Sequence, residues 1–185
     1  MSSDTPWLPL DALVEEIVDR RGVTPLKLGG QFTCSGHRVI SAKLLKGGRI
    51  DLSADEPRYV DSATYARWMK GPLRPGDVLM TSEAPLGELA YVGSELDWCL
   101  GQRLFAIRPK QDRLDGRFAF YALQTREVRA DLMGRSTGTT VQGIRQSELR
   151  RVRLPVPDLS QQVAAASLLR TLDDRIALLR ETNAT

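Results

Sequence analysis

The apolar positions along the chain change period several times, and each change marks an expected element. In LDALVEEIVDRR, residues 10 to 21, Leu10, Leu13, Val14, Ile17 and Val18 share one helical face, with Asp11 near the start and Gly22 just past the end, which predicts a short helix. The next stretch, to Leu52, is β-favouring and glycine-rich, and its Gly pairs at 29–30 and 47–48 predict turns between short strands. Asp61 and Ser62 are placed to cap a second helix, SATYARWMK, that turns Val60, Tyr65 and Trp68 or Met69 to a core. The apolar runs VLM (78–80) and LAYV (89–92), with turn chemistry at Pro75-Gly76-Asp77 and Pro85-Leu86-Gly87, predict a hairpin. LGQRLFAIRP sets Leu104, Ala106 and Ile107 against Arg103 and Arg108, the pattern of a half-buried strand with a basic outer face. GRFAFYALQTREVRADLMG predicts a third helix with Phe120, Leu123, Val128 and Leu132 inward and Gly134 as its stop.

Near the end the pattern hardens. In VRLPVPDLSQQ the prolines hold Leu154 and Val156 extended and forbid an early helix, so the last helix begins after them, with Asp158 as N-cap and Gln161 as the other half of a capping box. Beyond it Ala165, Leu169, Leu172, Ile176 and Leu179 recur at spacings of four and three, a heptad seam. Residues 159–181 would extend about 35 Å as a helix. Two arrangements satisfy this: a terminal helix folded back on its own core, or an exposed helix that pairs with another, Leu168 widening the stripe towards the former.

Composition narrows the class. A chain of 185 residues, 42% hydrophobic and 26% charged, is an ordinary globular protein with one core, and no apolar run approaches the roughly 20 residues needed to span a bilayer. MSSDTPWLPL lacks the basic start and apolar stretch of a secretion signal, so a cytoplasmic location is expected, with Cys34 and Cys99 as reduced thiols. Charge is uneven: the net value is −3 over residues 1–99, +7 over 100–157 and −1 over 158–185. A cationic third quarter suits a polyanion, although a solvated arginine-rich face would read the same way.

Catalytic motifs are lacking. No G-x-G-x-x-G, P-loop or H-E-x-x-H occurs, and Cys34, His37 and Cys99 would make only a three-ligand metal site without CxxC spacing. The Asn- or Asp-Pro-Pro-aromatic motif of amine methylation is absent as well. A non-enzymatic chain with no cofactor or metal of its own is therefore expected.

Taken in order, the motifs resemble one family. Trp7 with LPLDALV, RGVTP (21–25), YVDSATYARWMK, LRPGDVLMTSEAPLGELAYV, LGQRLFAIRP, FAFYAL, STGTTVQGIRQSELRRVRLPVPDLSQQ and LLRTLDDRIALLRETN are similar to the DNA-specificity subunits of type I restriction-modification enzymes. The resemblance covers nearly the whole chain. It implies a mixed α/β (α+β) fold: a target recognition domain, residues 1–157, with a curved, mostly antiparallel sheet and short helices. A long spacer and dimerisation helix, residues 158–185, would follow and pair in an antiparallel coiled coil. Full-length family members carry two such domains and two such helices, whereas this chain holds one of each. Ala164-Ala165-Ala166 stands where the family often has a larger apolar residue.

The resemblance further implies double-stranded DNA, a methyltransferase subunit bringing S-adenosylmethionine, and a restriction subunit as partners, with a twin chain or second half-subunit completing the helix pair. DNA contact calls for Arg, Asn and Gln at base edges, and for Lys, Arg, hydroxyls and backbone amides at phosphates. The first candidates are Arg135, Ser136, Thr137, Thr139, Thr140, Gln142 and Arg145 in the glycine-containing stretch 135–145. Arg38, Lys43, Lys46 and Arg49 come second and Gln102 and Arg103 third, the last pair being equally compatible with a structural role. The helix-pairing residues would be Ala165, Leu169, Leu172, Ile176 and Leu179. A different class remains open: a non-reading decoy or assembly module that binds the methyltransferase through its helix.

Overall fold

The computed structural model describes residues 5–138 and 142–183. In chain order the elements are β1 (Trp7–Pro9), α1 (Leu10–Leu13), β2 (Val14–Asp19), β3 (His37–Ile40), β4 (Leu45–Lys46), β5 (Arg49–Ile50), β6 (Tyr59–Val60), α2 (Ser62–Trp68), β7 (Val78–Thr81), β8 (Leu89–Tyr91), β9 (Cys99–Leu100), β10 (Leu104–Pro109), α3 (Gly116–Ala122), α4 (Arg126–Gly134), α5 (Gln146–Leu149), β11 (Arg153–Pro155) and α6 (Leu159–Asn183). The fold is mixed α+β. Its centre is an antiparallel sheet in the order β2-β10-β7-β8, flanked by a small sheet β6-β3-β9 in which only β3–β9 is parallel. β1 pairs with β11, joining the two ends of the globe, and β4–β5 forms a hairpin.

The central sheet is buried on both faces, and the pleat decides which residue goes where. Ile17, Val78, Met80, Phe105 and Ile107 face a core shared with α3 and α4, while Val18, Leu79, Ala90, Leu104 and Ala106 face a second core with Ile40, Val60 and Trp68. This corrects two expectations. Residues 14–19 form a strand instead of continuing a helix to Arg21: only Leu10–Leu13 is helical, and consecutive Ile17 and Val18 enter opposite cores. A helical stripe and a strand covered on both sides share these apolar positions, and the β-branched Val14, Ile17 and Val18 favour the strand. Asp11 caps nothing and instead meets Arg150 at 2.6 Å.

The second correction concerns β10, which has no basic outer face. Its six residues are all buried because strands flank it and layers cover it on both sides. Arg108 lies inside, its Nε and Nη2 donating to the Asp77 carboxylate at 2.9 and 2.8 Å, and Asp77 is 1% exposed. That fork raises the Arg108 pKa above its usual value, with the hydrogen bonds to Asp77 as the main cause.

Other expected elements are present. The hairpin is β7–β8, with Val78 opposite Tyr91. Asp61 caps α2 through the Thr64 N–H at 2.7 Å, which holds its carboxyl below the ordinary range, and Val60, Trp68 and Met69 are buried. Gly47 and Gly48 both take positive φ between β4 and β5, and a Cβ on Gly48 would meet the Phe120 ring at 2.9 Å. The predicted third helix is broken: extended geometry at Thr125 ends α3 and starts α4, and Gly134 is the last residue of α4 instead of lying past its end. Phe120, Leu123, Val128 and Leu132 are nevertheless all buried.

After β11 the chain enters α6, where Asp158 accepts the Gln161 N–H at 3.0 Å as N-cap. Its 25 residues extend about 37 Å. Gln162 and Ala166 are buried against the globe, and every described residue from Ser167 onward is exposed. The helix thus projects from the globe, contrary to the folded-back arrangement. None of the described helices is long and apolar enough to cross a membrane.

Candidate nucleic-acid interface

Antiparallel pairing brings the end of β2, the start of β10 and the end of β7 to one edge of the central sheet, since Phe105 opposes Asp19 and Leu104 opposes Thr81. Thr137 and residues 143–146 dock on that edge. Ser82 N–H donates to the Arg103 carbonyl at 2.8 Å, Ile144 N–H to the Ser82 carbonyl at 2.9 Å, and Gln146 Nε2 to the Ile17 carbonyl at 2.7 Å. Gly143 bridges to both Glu83 and Thr137. Thr137 and Arg145 of the first-ranked candidates and Arg103 of the third, far apart in sequence, therefore share one site.

Within it the side chains differ in what they have left to offer. Arg135 is engaged, 2.8 Å from Asp131 and 3.8 Å from Glu148, and Ser136 Oγ donates to the Met133 carbonyl at the end of α4. Thr137 and Gln142 are exposed. Arg145 is exposed and has no carboxylate in ion-pair range among the described residues. Thr139 and Thr140 lie outside the described residues. A depression of about 310 Å³ is lined by Arg21, Glu83, Thr137, Gly143 and Arg145.

Arg103 projects an exposed side chain 3.6 Å from Glu83 and carries φ +64, alone among the described non-glycine residues in that region. Such a backbone costs on the order of 1 kcal/mol for a residue with a Cβ and is held in place by the Ser82 hydrogen bond beside it. Its neighbour Gln102 is committed to the turn: Oε1 accepts the Gly22 N–H at 2.8 Å and Nε2 donates to the Val23 carbonyl.

The second-ranked group divides. Lys43 sits 3.4 Å from Asp55, which also accepts from Ser41 Oγ and pairs with Arg58 at 3.3 Å; these partners, Ser41 first, hold the Asp55 carboxyl low. Lys43 and Arg58 line an apolar-floored cavity of about 480 Å³ with Phe32, Trp68, Gln102 and Arg103, continuous in lining residues with the sheet-edge site. Arg38 is half-buried, donates to the Leu52 carbonyl at 3.2 Å, and its Nε has no partner among the described residues. Lys46 and Arg49 lie elsewhere, exposed and opposite each other on the hairpin that meets β8, where Gly48 bridges Ala90. Two cations opposed across a hairpin repel unless an anion lies over them.

Sequence reasoning passed over Arg21 and Arg58. Arg21 stood only at the end of LDALVEEIVDRR and in RGVTP, where nothing distinguishes it from a surface arginine. Its guanidinium forks onto Asp19 at 2.7 to 3.2 Å, stacks 4.3 Å over the Phe105 ring and donates to the Ile144 carbonyl at 3.2 Å.

No group of three or more His, Cys, Asp or Glu able to hold a metal occurs among the described residues. His37 donates from Nδ1 to the Asp97 carbonyl at 2.9 Å, meets Ser62 Oγ at 3.2 Å and stacks on Tyr65.

A second surface lies on α6. At about 100° per residue, Gln162, Ala166 and Asp173 share the globe-facing side, and Ala165, Leu169, Leu172, Ile176 and Leu179 form a ridge about 80° round from it. The four large residues of that ridge are at least 39% exposed. Ala165 is half-buried at its root.

Comparison with known proteins agrees with this architecture. The family model described as type I restriction modification DNA specificity domain matches residues 71–185, which includes α6 and, of the sheet-edge site, Ser82, Glu83, Arg103, Thr137, Gly143 and Arg145, but not Asp19, Arg21 or Arg38 to Arg49. The type I restriction enzyme MjaVIII specificity subunit of Methanocaldococcus jannaschii is 28% identical over 174 residues, 90% of this chain and 41% of the relative. The MjaIX specificity subunit of the same organism is 31% identical over 108 residues, 58% of this chain and 24% of the relative. Among solved structures, the HsdS subunit from Thermoanaerobacter tengcongensis aligns over the whole chain with a TM-score of 0.70 at 16% identity, covering 46% of that subunit. The type I S subunit from M. genitalium aligns over 98% of this chain and 42% of its own, with a TM-score of 0.62 at 19% identity. The chain spans less than half the length of each of these proteins, shares their fold, and is matched by the family model over 71–185: it belongs to the family of type I restriction modification DNA specificity domains.

Proposed function

We propose that the chain reads one half of a split double-stranded DNA target for a type I restriction-modification system. Residues 1–157 would act as the reading globe and residues 158–185 as the spacer that sets its distance from a second globe, either a twin copy or the other half of a longer subunit. The observation that carries this reading is the convergence of Arg103 and the 135–145 stretch, with exposed Arg145, on one sheet edge of a specificity-domain fold. Arginine there can fork onto guanine, and hydroxyls and backbone amides can take phosphates. A rod of about 37 Å is close to one DNA turn, roughly 34 Å, so paired globes would meet half-sites about a turn apart. Chemistry would come from partners: a methyltransferase subunit supplying S-adenosylmethionine, and a restriction subunit.

The test is binding of the full chain to mixed-sequence duplex DNA across a salt series. Arg103→Ala and Arg145→Ala should each weaken binding and make the salt slope shallower by about one unit for each phosphate no longer neutralised. Affinity and slope that do not change in either variant would favour the interaction-module reading, in which the chain binds a methyltransferase without reading DNA.

A further inference from the structure

We propose that Arg21 is the positioning residue of the DNA-reading stretch, clamping it to the sheet edge without itself touching DNA; this rests on the function proposed above. Three contacts meet at its guanidinium, and a fourth bond holds the residue it reaches. Nε and Nη2 fork onto the Asp19 carboxylate, fixing the plane of the group. The Phe105 ring, fully buried, lies 4.3 Å beneath it and fixes its height. Nη1 is thereby aimed at the Ile144 carbonyl, 123 residues away in sequence, at 3.2 Å. On the other side of the same residue, Ile144 N–H donates to Ser82, so Ile144 is held by both its backbone groups, next to exposed Arg145.

The clamp depends on shape as well as charge. A planar fork can bond a carboxylate with two nitrogens and still present a third in a fixed direction, whereas an ammonium on a flexible stem cannot do both. Because Nε, Nη1 and Nη2 all have partners and one face of the group is covered by Phe105, little of Arg21 remains for a phosphate. Its effect on recognition would be to hold Arg145 and Thr137 where a base or phosphate meets them, so that ordering of the stretch precedes binding.

The deciding variant is Arg21→Lys, which keeps the charge and removes the fork. The full chain should keep its thermal midpoint, lose protection of the Ile144 amide in hydrogen exchange, and be cut faster by trypsin after Arg145. Its affinity for mixed-sequence duplex should fall about tenfold at each salt concentration with the salt slope unchanged, since the same phosphates are still neutralised. Asp19→Asn, which leaves Arg21 in place but removes the carboxylate that aims it, should act in the same direction and serves where Arg21→Lys does not fold. Wild-type affinity in Arg21→Lys would overturn the assignment, as would wild-type protection of Ile144 whatever happens to binding. If the unaltered chain does not bind duplex, the DNA reading fails, while exchange at Ile144 still decides whether Arg21 is the clamp.

Discussion

Gln162 and Asp115 join the rod to the globe. The Gln162 side-chain oxygen accepts the Asp115 N–H at 2.9 Å, and its amide nitrogen donates to the carbonyls of Arg113 and Pro157 at 3.0 and 2.8 Å. The residue is fully buried. Three turns further along the helix, Tyr121 Oη donates to Asp173 at 2.8 Å, so α6 is tied to α3 and its approach at two separated points, which fixes direction as well as position.

Removing the first tie should be costly. Gln162→Ala leaves three backbone groups at a buried junction without their partner, and an unmet buried group costs about 1–3 kcal/mol. A loss of about 2 kcal/mol or more is expected in denaturant unfolding, and in the surviving folded state a broader distribution of globe-to-helix distances between spin labels on the globe and near Leu179. A distance distribution as narrow as that of the unaltered chain would mean that the Tyr121–Asp173 contact alone sets the direction.

The alkaline limit of that second contact follows from its chemistry. Burial first, then the hydrogen bond to Asp173, pushes the Tyr121 phenol up to about 12. The folded chain therefore keeps a proton that the unfolded chain releases near 10, so stability from this contact is complete below about pH 10 and falls away as pH rises towards 12. Tyr65 is likewise raised to about 12, by burial and then by Asp97. In an ultraviolet titration of phenolate, two late-ionising tyrosines are expected, and Tyr121→Phe should remove one of them. Two late phenols still present in that variant would contradict the contact.

Arg103 offers a comparison of two substitutions at one site. At φ +64 an L-residue is strained and glycine is not. Arg103→Gly should therefore exceed Arg103→Ala in stability by about 0.5 kcal/mol, what is left of a strain of about 1 kcal/mol after the more flexible glycine gives part of the advantage back to the unfolded chain. Both variants lack the guanidinium and should weaken duplex binding equally. Stability gained at the expense of affinity is what strain at a residue proposed to read DNA would imply. An Arg103→Ala chain more stable than Arg103→Gly would show that the strain is absent in solution.

How much of this was legible in the chain depends on the range of the interaction. The start of α6 could be read because prolines and an N-cap act on their immediate neighbours, and α2 could be read from Asp61 for the same reason. The strand β2 could not, since Leu10, Leu13, Val14, Ile17 and Val18 satisfy a helical stripe until a second core appears behind Val18. Arg108 looked like surface charge because its partner, Asp77, lies 31 residues away. Gln162 sits in a polar SQQ run, and nothing local says that this glutamine, and not Gln161, points inward. Among the candidate site residues, the individual arginines were visible, but their grouping follows from strand register. Register places Arg103 beside Ser82 and Ser82 beside Ile144, which no spacing along the chain encodes.

The ridge on α6 makes a prediction that separates the rod from the globe. Leu169, Leu172, Ile176 and Leu179 are exposed by at least 39%, so they support no core within their own chain, and polar replacements there should leave folding of the globe unaltered. If the ridge pairs with a second helix, it is the main apolar surface that pairing would bury, and a charge placed in its middle meets either its own copy or a leucine. Leu172→Asp with Ile176→Asp should therefore abolish self-association in sedimentation while the thermal midpoint measured at low concentration stays constant. The root of the ridge behaves differently: Ala165 is half-buried and flanked by Ala164 and the buried Ala166, so the two rods cannot interlock deeply near the globe. Ala165→Leu should strengthen association if that approach is open, and should leave it unchanged if the partner's end stops short of the root. A doubly substituted chain that still sediments as a dimer would move the pairing surface away from this ridge altogether.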